Sequence, residues 1–198
     1  MILDPASAPA RASFRLLVSA VVPRPIAFVS TLSPSGVRNL APFSFFNVVC
    51  GDPPVVAFST AFRDPPKDTL ANVAATREFV VNIVTEAIAG PMNQTAGEYP
   101  AEVDEFVVSG LTPAPSDIVK APRVLESPVN MECRLLQIVE VSSRPLGGSL
   151  ILGEVVRFHV DDAIVSHGRI DADQLRAVGR MSGYDYTRTR DRFALVRP

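Results

Sequence analysis

The chain has 198 residues and a mass of 21.3 kDa, enough for one domain that needs no disulfide or metal staples. With 47% hydrophobic and 20% charged residues it is not a disordered chain, and a net charge of −2 with a pI near 5.7 counts against a nucleic-acid coat. Its 18 prolines, about 9% against a usual level near 5%, exclude a long-helix bundle and favour strands joined by shaped loops.

Residues Ala10 to Ser19 read as a short helix with Phe14, Leu17 and Val18 on one side, ended by Pro23 and Pro25. Ile26 to Leu32 is rich in β-formers and stops at Ser33-Pro34-Ser35-Gly36, a turn signal, after which Val37 to Val49 forms the second arm of a hairpin. Pro42 inside that arm implies an edge, a bulge or a ligand-facing break. Val55 to Thr60 is a strand, Ala61 to Pro66 a loop, and Lys67-Asp68-Thr69 opens a helix with Leu70, Val73 and Ala74 on one face. Phe79 to Val84 is a further strand, residues 86 to 96 are helical, and Gly97 to Pro122 is mostly loop. Val129 to Ser143 and Ser149 to Val160 make a second hairpin around Pro145-Leu146-Gly147-Gly148. A polar loop, a short helix near Asp171 to Leu175 and a Tyr/Arg-rich tail complete the chain. Strands dominate without βαβ alternation, so a closed or split antiparallel barrel with short helices fits better than a doubly wound sheet.

Only Cys50 and Cys133 are present, with no zinc spacing around either; Cys50 is expected to be a buried, inert thiol. The amino terminus lacks a secretory pattern and no apolar run reaches membrane-span length, so a cytoplasmic protein with no membrane partner is expected. No metal site and no catalytic acid, base or nucleophile stands out. His159 and His167 are the only histidines, and each has an ordinary structural or surface reading.

Two stretches carry chemistry. Pro65-Pro66-Lys67-Asp68-Thr69 leads into a helix, whose first N–H groups and dipole favour an anion. Lys67 is one of only two lysines beside 17 arginines. A plain helix cap by Asp68 or Thr69 accounts for the same residues. In Ser30-Thr31 and Asn39 to Asn47, hydroxyls and amides alternate with apolar and aromatic residues. Such a lining suits a planar heteroaromatic ligand, and equally a hairpin with Phe43, Phe45 and Phe46 in the core.

Arg24-Pro25-Ile26-Ala27-Phe28-Val29-Ser30-Thr31, Asn39 to Asn47, Asp52-Pro53-Pro54, Lys67-Asp68-Thr69-Leu70 and Glu78 to Asn82 occur in order. Asp104-Glu105-Phe106, Gly110-Leu111-Thr112, Pro128, Glu132-Cys133 and Gly153-Glu154-Val155 follow. Together they resemble the flavin reductase-like, FMN-binding split-barrel family over about Pro23 to Pro198. Arg180-Met181-Ser182-Gly183 is similar to that family's Arg-Leu-Gly-Gly segment, with Ser182 in place of a glycine.

The resemblance implies a homodimeric, mainly β, Greek-key antiparallel split barrel at 23–160. It also implies an extension at 1–22 and a segment at 161–198 packed on the barrel or partner. It implies FMN as cofactor, NADH or NADPH as hydride donor, and in some members a monooxygenase partner. The alternatives are a flavoredoxin-like carrier or a flavin- or haem-binding module without turnover. Carried over by position, Ser30 and Thr31 meet the ribityl or phosphate end of FMN. Asn39 and the backbone of Ala41, Pro42, Phe43 and Ser44 border the ring edge, with Asn47 nearby. Ser59, Lys67, Asp68 and Thr69 shape the phosphate site. His159, Arg180 and Tyr186 are candidates for the nicotinamide side or the dimer contact.

Overall fold

The computed structural model describes residues 1–197. It holds helix α1 (Ala10–Ala20), strands β1 (Ala27–Leu32), β2 (Arg38–Phe43), β3 (Phe46–Gly51) and β4 (Pro54–Ala61), and helix α2 (Asp68–Thr76). Strand β5 (Glu78–Ile83), helices α3 (Ala89–Gln94) and α4 (Glu105–Ser109), and the short strands β6 (Pro113–Ala114) and β7 (Arg123–Val124) follow. The long hairpin β8 (Val129–Ser142) and β9 (Gly148–Val160) precedes β10 (Val165–Ser166), β11 (Arg169–Ile170), α5 (Ala172–Leu175), β12 (Val178–Arg180) and β13 (Tyr186–Arg188).

Seven strands form one antiparallel sheet in the order β2-β1-β5-β8-β9-β4-β3. The sheet curls so that its edges meet. The Ser59 N–H donates to the Phe45 carbonyl at 2.9 Å, and the rings of Phe43 and Phe58 lie 5.1 Å apart between centroids. This is a split β-barrel. No helix among the described residues is long and apolar enough to cross a membrane.

The first hairpin forms at the expected turn, with the Ser33 N–H on the Val37 carbonyl at 2.8 Å and Gly36 at φ 88°. Its second arm, expected as one strand over 37–49, is two. Pairing with β1 ends where Phe43 meets Ala27. The chain then breaks at Ser44-Phe45 and re-enters the sheet beside β4, at the opposite edge. Pro42 sits on the edge strand β2, where its missing N–H costs no ladder bond.

Strand β1 is buried on both faces. Ala27 and Val29 join the barrel interior with Phe58, Phe79, Val81, Met131, Cys133 and Ile151. Phe28 points outward against Leu40, Ile88, Met92, Phe106 and Val178. Gly153 on β9 leaves room for this packing, because a Cβ there would stand 2.3 Å from Cζ of Phe79.

Of three further expectations, two hold with added detail and one, for Cys50, needs correction. Residues 97–122 are mostly loop, as expected, with the short α4 and β6 formed within them. The Asp104 carboxylate accepts the Phe106 N–H at 2.9 Å to start α4, and Gly110 at φ 69° ends it. Cys50 is exposed rather than buried, because β3 lies at the sheet edge. Helix α1 forms as expected, and it buries none of its residues, Phe14 and Leu17 included. It is tied down instead by Arg24, whose guanidinium donates to the carbonyls of Val18, Val21 and Met181, each at 2.7 Å.

Candidate functional site

A cavity of about 460 Å³ opens where the end of β2, the start of α2 and the segments before α2 and α4 converge. The residues that build it are local consequences of the sequence. Pro65 and Pro66 hold the chain extended, and Lys67, at φ −58° and ψ 142°, is the first residue before the helix. No side chain caps α2. The N–H groups of Asp68, Thr69 and Leu70 have no acceptor among the described residues, whereas Ala71 already bonds to the Lys67 carbonyl. The capping explanation for this stretch therefore fails on geometry.

The Thr69 hydroxyl is engaged from below. It accepts from Asn39 Nδ2 at 3.0 Å, and Asn39 Nδ2 also lies 3.2 Å from Thr31 Oγ1, which accepts from Asn72 Nδ2 at 3.0 Å. All four side chains are buried. This network fixes the helix start against β1 and β2, so the exposed donors of α2 are held in place by the barrel rather than by a cap. Lys67 is half-buried and forms no ion pair among the described residues. Burial first, then Arg63, holds its ammonium below the ordinary lysine value, against the pull of Glu98, Asp68 and Glu105. Across the cavity, Arg63 pairs with Glu98, linking the loop before α2 to the segment that carries Tyr99.

Of the residues expected at the site, Asn39, Ala41, Pro42, Lys67, Asp68 and Thr69 line this cavity. Thr31 lies directly beneath them. Phe43 is in the core against Phe58, Ser44 is half-buried at the break after β2, and Asn47 is exposed on β3 with its Oδ1 accepting the Val48 N–H. Ser59 is half-buried on β4, its N–H on Phe45. Ser30 faces the opposite side of the sheet, where its hydroxyl donates to the Pro122 carbonyl at 2.5 Å and accepts from Asn82. Its neighbour Thr31 takes the cavity side because successive strand residues alternate.

His159, Arg180 and Tyr186 do not line the cavity. The Arg180 guanidinium stacks over the Tyr186 ring at 4.5 Å, and the Tyr186 hydroxyl reaches Asn93 at 3.2 Å. His159 Nε2 meets the fully buried Glu132 carboxylate at 2.5 Å. Burial would raise that carboxyl, but the N–H groups of Asp117, Val119 and Ile118 together with His159 hold it down at about 2. With Asp117, these groups bring ligand-type atoms within 4.8 Å of one another. Four N–H donors already occupy the Glu132 oxygens, so the donor chemistry does not suit a cation.

Sequence reasoning missed Arg63, Glu98, Tyr99 and Glu105 as cavity residues. A signal for Glu105 was present: Asp104 before an apolar run and Gly110 after it mark a one-turn helix. Glu105 is buried, and one of its oxygens accepts the Leu40 N–H at 3.0 Å.

Known proteins are similar to this chain in sequence and in fold. A protein of Aquifex aeolicus, itself uncharacterised, is 43% identical over 178 residues, covering 88% of this chain and 89% of its own. The structure of nitrilotriacetate monooxygenase component B from Bacillus cereus superposes with a TM-score of 0.95 at 33% identity, covering 98% of each chain. A structure described as a flavin reductase with a split-barrel domain, from Shewanella frigidimarina, gives 0.83 at 26% identity, covering 98% and 95%. The family described as flavin reductase-like domain matches residues 19–174. With most of its length matched and its barrel built as theirs is, the chain belongs to the flavin reductase-like domain family.

Proposed function

We propose that the protein is an FMN-dependent flavin reductase that takes hydride from NADH or NADPH. The carrying observation is the uncapped start of α2 beside the unpaired Lys67, which offers backbone donors and a cation to a phosphate. The donor set therefore fits the phosphate of FMN. Asn39, Ala41 and Pro42 then border the ring end, with Thr31 bracing Asn39 from beneath. Ser44, Asn47 and Ser59 belong to the same assignment as groups around the break after β2, and Phe43 supports it from the core. When bound, FMN supplies a two-electron acceptor for hydride. The chain's own contribution is to bind, orient and exclude water, and no side chain is assigned as a proton relay for hydride transfer.

The functional unit in this reading is a homodimer. Phe45, Val48 and Val49 at the β3 edge and Leu136, Val139 and Val141 on the β8–β9 hairpin are exposed, an apolar area fit for a second copy. His159, Arg180 and Tyr186 lie outside the cavity, and we assign them to the partner-facing or nicotinamide-facing surface. The Bacillus cereus relative is component B of a monooxygenase, and by that likeness the partner in this reading is a monooxygenase that consumes reduced flavin.

The test is flavin titration followed by steady-state oxidation of each nicotinamide with FMN. Wild type is expected to bind FMN more tightly than riboflavin and to turn over. Lys67→Ala should weaken FMN by roughly ten- to a hundredfold, the value of one charge-assisted hydrogen bond of about 1.5–3 kcal/mol, with little effect on riboflavin. Bound FMN that neither nicotinamide reduces would favour the carrier or binding-module alternative.

A further inference from the structure

The cavity that holds Lys67 also holds a carboxyl whose charge Lys67 feels but which forms no ion pair among the described residues. Glu105 is 6% exposed and lines the cavity, yet no lysine, arginine or histidine pairs with it among the described residues. Arg38, the cation nearest along β2, is engaged by Asp104 at 2.5 Å. The Leu40 N–H donates to Oε2 at 3.0 Å, and no side chain among the described residues donates to Oε1. From α2, Asp68 and Lys67 face the same space, and from the flanking loops Asp64, Arg63 and Glu98. Helix α3, packed against α4, carries no ionisable side chain.

A buried carboxylate that no cation pairs with is costly and tends to neutralise by taking a proton. Burial does push the Glu105 carboxyl up, with Asp68 and Asp104 adding to the rise, against the pull of its own N–H and that of Leu40. A phosphate dianion placed at the start of α2 would bring two further negative charges into the cavity. The like-charge cost falls on the group least able to shed it into water.

We infer that Glu105 takes up a proton when a phosphate-bearing flavin enters the cavity, and that its protonated Oε1 then serves as a hydrogen-bond donor towards the ligand. This rests on the reading that the start of α2 receives the phosphate. It makes Glu105 a positioning and specificity residue: the site favours the phosphorylated flavin most where Glu105 can be protonated. The sign follows from linkage. The complex binds the proton more tightly than the free protein, so affinity falls as pH rises through the carboxyl's range in the complex, by up to tenfold per pH unit.

Calorimetric titration of the wild-type protein with FMN in two buffers of different ionisation enthalpy reads the protons taken up. It should be run above about pH 7, where a phosphate monoester with a second pKa near 6 is already a dianion. Uptake approaching one proton is expected with FMN and little with riboflavin. Glu105→Gln, neutral at every pH, should lose that uptake and flatten the pH dependence of FMN affinity. Equal uptake with FMN and riboflavin, or FMN binding with none, overturns the inference while leaving FMN as ligand. Wild type that binds FMN no better than riboflavin overturns the phosphate assignment and the inference with it. Lys67 faces the same phosphate and is itself held below its ordinary value, so the titration is repeated on Lys67→Arg, where uptake by Glu105 should persist. Uptake lost there, or retained in Glu105→Gln, overturns the inference.

Discussion

Replacing Glu132 with glutamine keeps the side chain's shape and removes its charge at the one place where a whole loop hangs on it. The carboxylate accepts the N–H groups of Asp117, Ile118 and Val119 at 2.8, 2.7 and 2.9 Å and His159 at 2.5 Å. A glutamine oxygen can serve some of these donors, but its amide NH₂ turns towards the others, leaving at least one buried donor unpaired at a cost of about 1–3 kcal/mol. The carboxyl's fall from an ordinary 4.5 to about 2 sets a comparable ceiling of roughly 3 kcal/mol. For a chain of this size, that lowers the melting temperature by about 2–12 °C at neutral pH. The sign with pH is fixed by the depressed value. The contribution is fully present above the unfolded carboxyl's range and is lost as pH falls from about 4.5 towards 2. Thermal unfolding of both proteins between pH 7 and pH 3 is the assay. The gap should be widest at neutral pH and narrow in acid. A variant within about 2 °C of wild type at pH 7, or a gap that widens in acid, would refute the reasoning.

Gly153→Ala puts a methyl 2.3 Å from Cζ of Phe79, a fully buried ring set edge-on to Phe58. The expected loss is about 1–3 kcal/mol, read as a lower urea midpoint at unchanged slope. Val48→Asp places a charge in the apolar β3 edge assigned to the second copy, where Val48 is 69% exposed in the single chain. Sedimentation should find wild type dimeric and the variant dissociating at least tenfold more readily, with the same melting cooperativity; a monomeric wild type removes the assignment.

Local chemistry made much of the fold legible. The Ser33–Gly36 turn, the β8–β9 hairpin and the helix after Pro66 are all announced by residues within a few positions of where they form. The break at Ser44-Phe45 is not, because residues 38–43 and 46–51 both read as β and only the closure of the sheet parts them. Helix α4 is too short for its period to show. At the site, Lys67 and Thr69 were visible as a pair, but whether they cap a helix depends on Asn39, 30 positions away, which occupies the threonine hydroxyl. Glu105 gains its meaning only from burial, which no single residue announces. Ser30 and Thr31 looked alike in the chain, and the strand's alternation sent them to opposite faces.

The strand order has one more consequence, for how the cavity comes into being. Every residue that lines it lies between Asn39 and Glu105. These residues sit on β2, on the loop that leads from β4 into α2, and on the segment that ends in α4. Yet β4 is joined to β5 in the sheet only through β8 and β9, which come later in the chain. A ribosome that has released residue 105 has made all the lining but not the sheet that holds the β4 end of its loop in place. The long hairpin acts as a keystone, and a truncation before Val129 would keep each lining residue while leaving β4 without its link to β5.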